Sequence, residues 1–293
     1  MAFLSRYPLF DLLLTALAPT IWGTTYIVTT QFLPPDRPFI AALLRVLPAG
    51  CALLLWCRHF PLRNEWWKLI VTGILNIGAF QALLFVAAYR LPGGLAAVIG
   101  AIQPLLVMLL AWGIDRQRSP LTAVLAAFTG IIGMAMPLLS PQTIVDTIGI
   151  GAAFLGAVSM ALGTWLSRRW SLSMPVMALT GWQLLLGGMF LLPVALLVDP
   201  PLPVLTATQI AGYVWLCVVG AMLAYALWFR GIRHLSPVAV SAMSLLSPVT
   251  AVVLGWVFLG QRIQGMALPG LIIVMLSVLS IQWVLIKNQR SDP

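Results

Sequence analysis

Leu235 to Arg262 reads LSPVAVSAMSLLSPVTAVVLGWVFLGQR. The stretch is apolar, carries no charge before Arg262, and has Pro248 near its middle. A second stretch echoes it. Leu91 to Arg118 reads LPGGLAAVIGAIQPLLVMLLAWGIDRQR. A shift of 144 residues lays Leu91 on Leu235, Pro104 on Pro248, Trp112 on Trp256, and Gln117-Arg118 on Gln261-Arg262. The shift is close to half of the 293-residue chain, so the sequence reads as one unit built twice.

Hydrophobic residues make up 61% of the chain and charged ones 8%, against about 25% charge in a soluble domain. So little charge cannot cover a surface facing water, and the reading is an integral membrane protein. The net charge of +9 invites a nucleic-acid partner. The basic residues are instead dispersed between apolar runs, whereas nucleic-acid binders gather them on one face. Cys51, Cys57 and Cys217 lie inside apolar runs without metal-ligand spacing. The run that starts at Pro8 is too long for a cleavable signal and is followed by more spans, so it reads as the first membrane helix.

A bilayer-spanning helix needs about 20 residues. On that ruler ten spans are expected, near 8–31, 38–57, 66–89, 93–114, 120–139, 147–167, 175–198, 209–230, 236–259 and 265–286. Turn-forming segments such as LPPDRP, RLPGG, DPPLP and RHLSP separate them. Lysine and arginine set the orientation. With the N-terminus in the cytoplasm, Arg6, Arg58, Arg63, Lys68, Arg116, Arg118, Arg168, Arg169, Arg230, Arg233, Lys287 and Arg290 fall inside. Only Arg37, Arg90 and Arg262 fall outside, and Arg45 lies within a span. Both termini are then cytoplasmic. Five spans per unit is an odd number, so the second unit enters from the opposite side. The expected fold is all-α: ten transmembrane helices as two inverted five-helix repeats, residues 1–143 and 144–293, in one integral membrane domain. Inverted repeats mark secondary transporters, with the substrate near the midplane between the halves. The first spans repeat as well: Gly23-Thr24 aligns with Gly163-Thr164, and Arg45 with Gln183.

Several segments carry a resemblance: TIWGTTYI, IAALLRVLPAG, PGGLAAVIGAIQPLLVMLLAW, and SPVAVSAMSLLSPVTAVVLGWVFLGQRI followed by a Gly-rich last span. With these the chain resembles the EamA family of the drug/metabolite transporter superfamily, over nearly its whole length. Within the family it looks most like bacterial amino-acid exporters of the YddG type. The resemblance implies an exporter of the bacterial inner membrane with a central cavity between its halves. One departure stands out. The family usually has Glu in an LGERL-like segment after span nine, where this chain has Gln261.

The acids Asp11, Asp36, Glu65, Asp115, Asp146, Asp199 and Asp292 sit in loops or at span ends, as do His59 and His234. Proton-driven transporters usually place such a group inside the membrane. Facilitated movement without strict proton coupling is therefore expected, with Asp11 the residue to watch. Arg45 is the one charge well inside a span. It reads as a handle for a carboxylate or as a bond to helix-end carbonyls, and the polar Gln183 at the matching position favours the structural role. Pro104 and Pro248 are expected as hinges, because an interior proline frees the carbonyl four residues back. Those carbonyls belong to Gly100 and Ser244. Ser241, Ser244 and Ser247 share one face, and Gln103 adjoins Pro104. Asn76 and Phe80 share a face of span three beside Gln81, whose repeat counterpart is Tyr225. Trp22 and Thr25 share a face of span one, and Trp165 aligns with Thr25. Together these are the candidate substrate-binding residues. Gly149, Ala153, Ala157 and Ala161 recur at four-residue spacing and read as helix packing.

The expected substrates are neutral, hydrophobic or aromatic amino acids and related small metabolites, moved outward by alternating access. A drug or cationic-metabolite exporter would want an acid in the cavity, and a phosphate or nucleotide-sugar carrier several buried basic residues. A membrane-embedded enzyme would want a catalytic cluster, which the sequence lacks. No cofactor or metal is expected. The expected partners are a small-molecule substrate and the lipid bilayer, with no protein partner evident.

Overall fold

The computed structural model describes residues 8–91, 99–100, 102–117, 120–136, 146–259 and 266–291. Arg118, Gln261, Arg262 and the boundary expected at 143/144 lie outside these. The regular elements among the described residues are all helices, with no strand among them. In chain order the helices are α1 (Pro8–Phe32), α2 (Pro38–Cys57), α3 (Trp66–Arg90), α4 (Gln103–Gly113), α5 (Leu121–Ala135), α6 (Thr147–Trp170), α7 (Val176–Val198), α8 (Ala207–His234), α9 (237–259) and α10 (Ala267–Ser291). Seven of them are long and apolar enough to cross a membrane, and α4, α5 and part of α10 form shorter apolar helices. Leu196, Leu197, Trp56 and Phe258 are among many large apolar side chains on the outside of the bundle. Such a surface suits lipid and not water.

The ends of the helices follow from local chemistry. Pro38 opens α2, where its missing N–H costs nothing. The Asp146 carboxylate accepts from the Gly149 N–H and caps α6. Thr206 and Gln209 form a capping box that starts α8. Arg58 and Ser171 end α2 and α6 in the left-handed conformation.

Two helices depart from regular winding. Each of α3 and α8 contains one π-helical stretch, Ile74–Ala79 and Val218–Leu223. The two stretches are 144 residues apart, the shift that relates the prolines. Helix α9 is broken into Pro237–Met243 and Leu246–Leu259. Pro248 is the third residue of the second piece, and Pro104 the second residue of α4. Neither proline bends a continuous helix, as the sequence suggested. Each sits in the first turn of a new one, where its missing N–H leaves no bond broken. The Ser244 carbonyl is not left bare either, because the Ser247 N–H donates to it at 3.1 Å.

The packing runs between the two halves of the chain. Helix α2 lies along α7, α5 along α10, α1 along α9 and α8, and α6 along α3 and α4. The largest core cluster joins α1, α2, α3, α7 and α8 through Trp22, Val46, Leu69, Leu184, Tyr225 and Trp228. At Gly187 a Cβ would lie 2.5 Å from Ile77 Cβ and 2.8 Å from the Gly78 nitrogen. Only glycine lets α7 come this close to the π-helical stretch of α3.

One end of the bundle is basic and cross-tied. There Asp11 pairs with Arg230, Asp115 with Arg169, and Glu65 accepts from the backbone and hydroxyl of Ser173. At the other end Arg90 pairs with Asp146, and the Asp199 carboxylate accepts from the Ile40 N–H at 2.7 Å.

Candidate functional site

A cavity of about 100 Å³ opens among α1, α2, α3, α6, α9 and the start of α4. Trp22, Thr25 and Tyr26 of α1 form one side, with Arg45 of α2 beside them. Phe80, Leu84 and Ala87 come from α3, and Ala153, Gly156, Ala157 and Met160 from α6. Gly100, Gln103, Ser244, Ser247 and Pro248 complete the lining. The broken region of α9 therefore serves as a wall of the cavity, which is where irregular backbone is tolerated inside a membrane.

The side chains set up an uneven electrostatic field. Arg45 is 1% exposed, and its Nη2 donates to the Gly220 carbonyl at 3.1 Å. Trp22 Nε1 donates to the same carbonyl at 3.0 Å. That oxygen belongs to the π-helical stretch of α8, and glycine there leaves the approach to it clear. The Arg45 Nε and Nη1 groups have no partner among the described residues, and neither have Thr25 Oγ1 and Gln103 Nε2. Buried polar atoms without partners are uncommon in native proteins. Those of Thr25, Arg45 and Gln103 border this one cavity. No carboxylate belongs to its lining among the described residues. Behind Trp22 lies an aromatic layer, with Tyr225 and Trp228 at centroid distances of 4.9 and 5.0 Å.

Of the residues singled out in the sequence, the cavity brings together Trp22, Thr25, Arg45, Phe80, Gly100, Gln103, Ser244 and Pro248. It does not include Asn76, Gln81, Pro104, Trp165, Tyr225 or Ser241. Asn76 Nδ2 donates to Ser167 Oγ and to Gln183 Oε1, both at 2.9 Å. Gln81 and Tyr225 meet each other, amide to phenol, so repeat counterparts join across the two halves. Trp165 Nε1 donates to Asp115 at the basic end. Ser241 is fully buried and donates to the Val238 carbonyl. Asp11 is 2% exposed and held by Arg230, away from the cavity.

Sequence reasoning missed Tyr26, Met160 and the α6 wall, whereas Ser247, placed on the polar face of α9 with Ser244, does line the cavity. The four-residue spacing of small residues in α6 was visible, but it read as packing alone. Ala153 and Ala157 instead give the cavity its width. The π-helical stretches leave no mark in composition.

A helical bundle with an apolar outer surface and an interior cavity bordered by a few polar groups is the architecture of a membrane protein. The model of the EamA-like transporter family matches residues 9–139 and again residues 147–283. The chain belongs to this family. It is 42% identical to Protein PecM of Dickeya dadantii over 275 residues, covering 93% of this chain and 92% of PecM. It is 26% identical to the uncharacterized inner membrane transporter YedA of Escherichia coli K12, covering 87% and 84%. A crystal structure of a protein with 18% sequence identity superposes with a TM-score of 0.78, over 97% of this chain and 99% of that one. That likeness shows the fold alone.

Proposed function

We propose that the protein is an alternating-access exporter of small amphipathic metabolites, with neutral, hydrophobic and aromatic amino acids as its substrate class. The observation that carries this reading is the cavity itself. It pairs an aromatic and aliphatic lining with unused donors on Arg45, Thr25 and Gln103. Such donors suit a carboxylate, and the apolar walls suit a side chain. Arg45 both holds the Gly220 carbonyl and supplies the positive end. The lack of an acid among the described lining residues weighs against a cation exporter and against strict proton coupling. Asp11, the remaining coupling candidate, is engaged with Arg230.

The proposed architecture is ten transmembrane helices in two inverted repeats meeting near residue 143, within one domain. The two family matches, the equal spacing of the π-helical stretches and the pairing of α2 with α7 and α5 with α10 support it. With the basic end in the cytoplasm, the chain sits in the bacterial inner membrane with both termini inside. Proposed hinges are the helix breaks ahead of Pro104 and Pro248.

The test is uptake of radiolabelled amino acids into proteoliposomes, with and without a pH step. Saturable uptake that ignores the pH step is expected, and Ser244→Trp should fill the cavity and abolish it. Uptake only under the pH step would replace facilitated movement with proton antiport. No amino-acid uptake under either condition would overturn the substrate class and leave a drug or other metabolite exporter of the same family.

A further inference from the structure

A second and larger cavity, of about 290 Å³, lies at the basic end of the bundle, lined by residues of α3, α6, α7, α8 and the α6–α7 connection. Two guanidinium groups, Arg168 and Arg233, belong to its lining. Each is anchored by one nitrogen. Arg168 Nη1 donates to the carbonyls of Ile232 and Arg233, and Arg233 Nη2 to those of Leu172 and Met174. These bonds fix both groups in place and leave their other N–H donors without a protein acceptor among the described residues. Among the described residues neither arginine forms an ion pair, although three others do: Arg169 with Asp115, Arg230 with Asp11, and Arg90 with Asp146.

The floor of the cavity adds the decisive group. Gln183 is 0% exposed, its Oε1 is taken by Asn76, and its Nε2 has no partner. Ser167, which accepts from Asn76, supplies a hydroxyl on the same wall, while the Ser171 hydroxyl donates to the Arg168 carbonyl at 2.8 Å. Two cations, an amide N–H and the Ser167 hydroxyl, with no carboxylate among the described lining residues, form a donor set with more than two arms. That set fits a tetrahedral oxyanion better than a planar one. Trp170, Leu172, Leu179, Phe229 and Ile232 supply an apolar side.

We propose that this cavity is a binding site for a phosphoryl group carried on an apolar body, separate from the central cavity and independent of which solute that cavity moves. Two sources share this chemistry. One is the headgroup of an anionic phospholipid in the leaflet facing the basic end. The other is a soluble phosphate ester.

Binding on the purified full chain tests the proposal. Protein in phosphatidylcholine nanodiscs is titrated with inorganic phosphate by calorimetry. Protein in detergent is offered equal amounts of phosphatidylglycerol and phosphatidylcholine, and the retained lipid is read by native mass spectrometry. Saturable phosphate binding or selective retention of phosphatidylglycerol is expected. Gln183→Glu should weaken either by roughly tenfold or more, because its carboxylate occupies the guanidinium donors. The change keeps the side-chain shape and an acceptor for Asn76, so the fold should survive. Arg233→Gln, which risks the helix-end bonds, serves as the second variant. Phosphate binding without lipid selectivity assigns the soluble source. Retained phosphatidylglycerol that free phosphate does not displace assigns the headgroup. No binding of either probe, or binding unchanged in Gln183→Glu, overturns the site.

Discussion

Helices α3 and α8 are the same element built twice, and they differ where it matters. Both carry a π-helical stretch at matched positions, Ile74–Ala79 and Val218–Leu223. Both end alike, with the Leu91 and Leu235 N–H groups donating to Ala87 and Gly231 at 2.8 Å. Within the two stretches, however, Asn76 corresponds to Gly220. Asn76 reaches out with its own amide and ties Gln183 to Ser167. Gly220 has no side chain, so its carbonyl receives Trp22 and Arg45 instead. One scaffold thus gives a neutral amide junction on one side and a cationic junction on the other. The cationic junction is the one that borders the central cavity. The fold can stay nearly symmetric while the chemistry does not.

The largest expected effect comes from forcing the two junctions to pack alike. Gly187 on α7 presses on Ile77 and Gly78, whereas its counterpart on α2 is Ala49, which is fully buried and keeps its Cβ. Gly187→Ala would place that Cβ against backbone that cannot yield. A loss of about 3 kcal/mol is expected, read as reduced thermal stability and folded yield in detergent. A variant as stable as the parent would show that α3 and α7 can separate without cost.

Asn76→Leu comes next. It removes two hydrogen bonds and leaves Gln183 Oε1 and the Ser167 hydroxyl unpartnered, at a cost of about 2 kcal/mol. The KM for transported solute should not move, since Asn76 does not line the central cavity. A raised KM with unchanged stability would return Asn76 to the substrate site and break the division between the junctions.

Arg45→Met sharpens the same division from the other side. Replacing a buried charge by an apolar chain of similar length is often neutral for stability, and Trp22 still donates to Gly220. Stability within about 1 kcal/mol of the parent is expected, while uptake falls by roughly tenfold, the worth of a charge-assisted hydrogen bond. A large loss of stability with normal uptake by the folded fraction would make Arg45 a purely structural residue.

Much of this was legible in the sequence, and the reason is physical. Hydrophobic length and turn residues report on the bilayer, and they located nine of the helices to within about five residues of the observed ends, while the expected start of span four at residue 93 lies outside the described residues. The repeat located Arg45 opposite Gln183 and Gln81 opposite Tyr225. What could not be read was which face of a helix meets which neighbour. Gln81 and Tyr225 were both read as cavity residues because both are polar and central. They satisfy each other instead. Asn76 and Trp165 were diverted in the same way, by Gln183 and by Asp115. A polar residue in a membrane helix must find a partner, and sequence gives its need but not whether protein or ligand meets it.

The smallest expected effect tests the comparison at the entrances of the two helices. Glu65 takes the Leu62 N–H at the start of α3, and Gln209 takes the Thr206 N–H at the matched place in α8. The geometry is shared and only one of the two can titrate. Burial pushes the Glu65 carboxyl upward. The hydrogen bonds from the Ser173 backbone and hydroxyl and from Leu62, with the charge of Lys68, outweigh it and hold the group below its ordinary value. A depressed pKa means that the charged form is favoured by folding. The resulting stability is complete above the unfolded value of 4.5 and fades as the pH falls through the folded value. Glu65→Gln should therefore remove the part of the acid-induced loss of stability that belongs to this entrance, leaving α3 as indifferent to pH as α8. Melting temperatures of parent and variant between pH 7 and pH 3 check it. The gap between them should narrow as the solution becomes more acid. A gap that stays constant would mean that Ser173 holds Glu65 equally well in both protonation states, and that the two entrances differ in sequence without differing in chemistry.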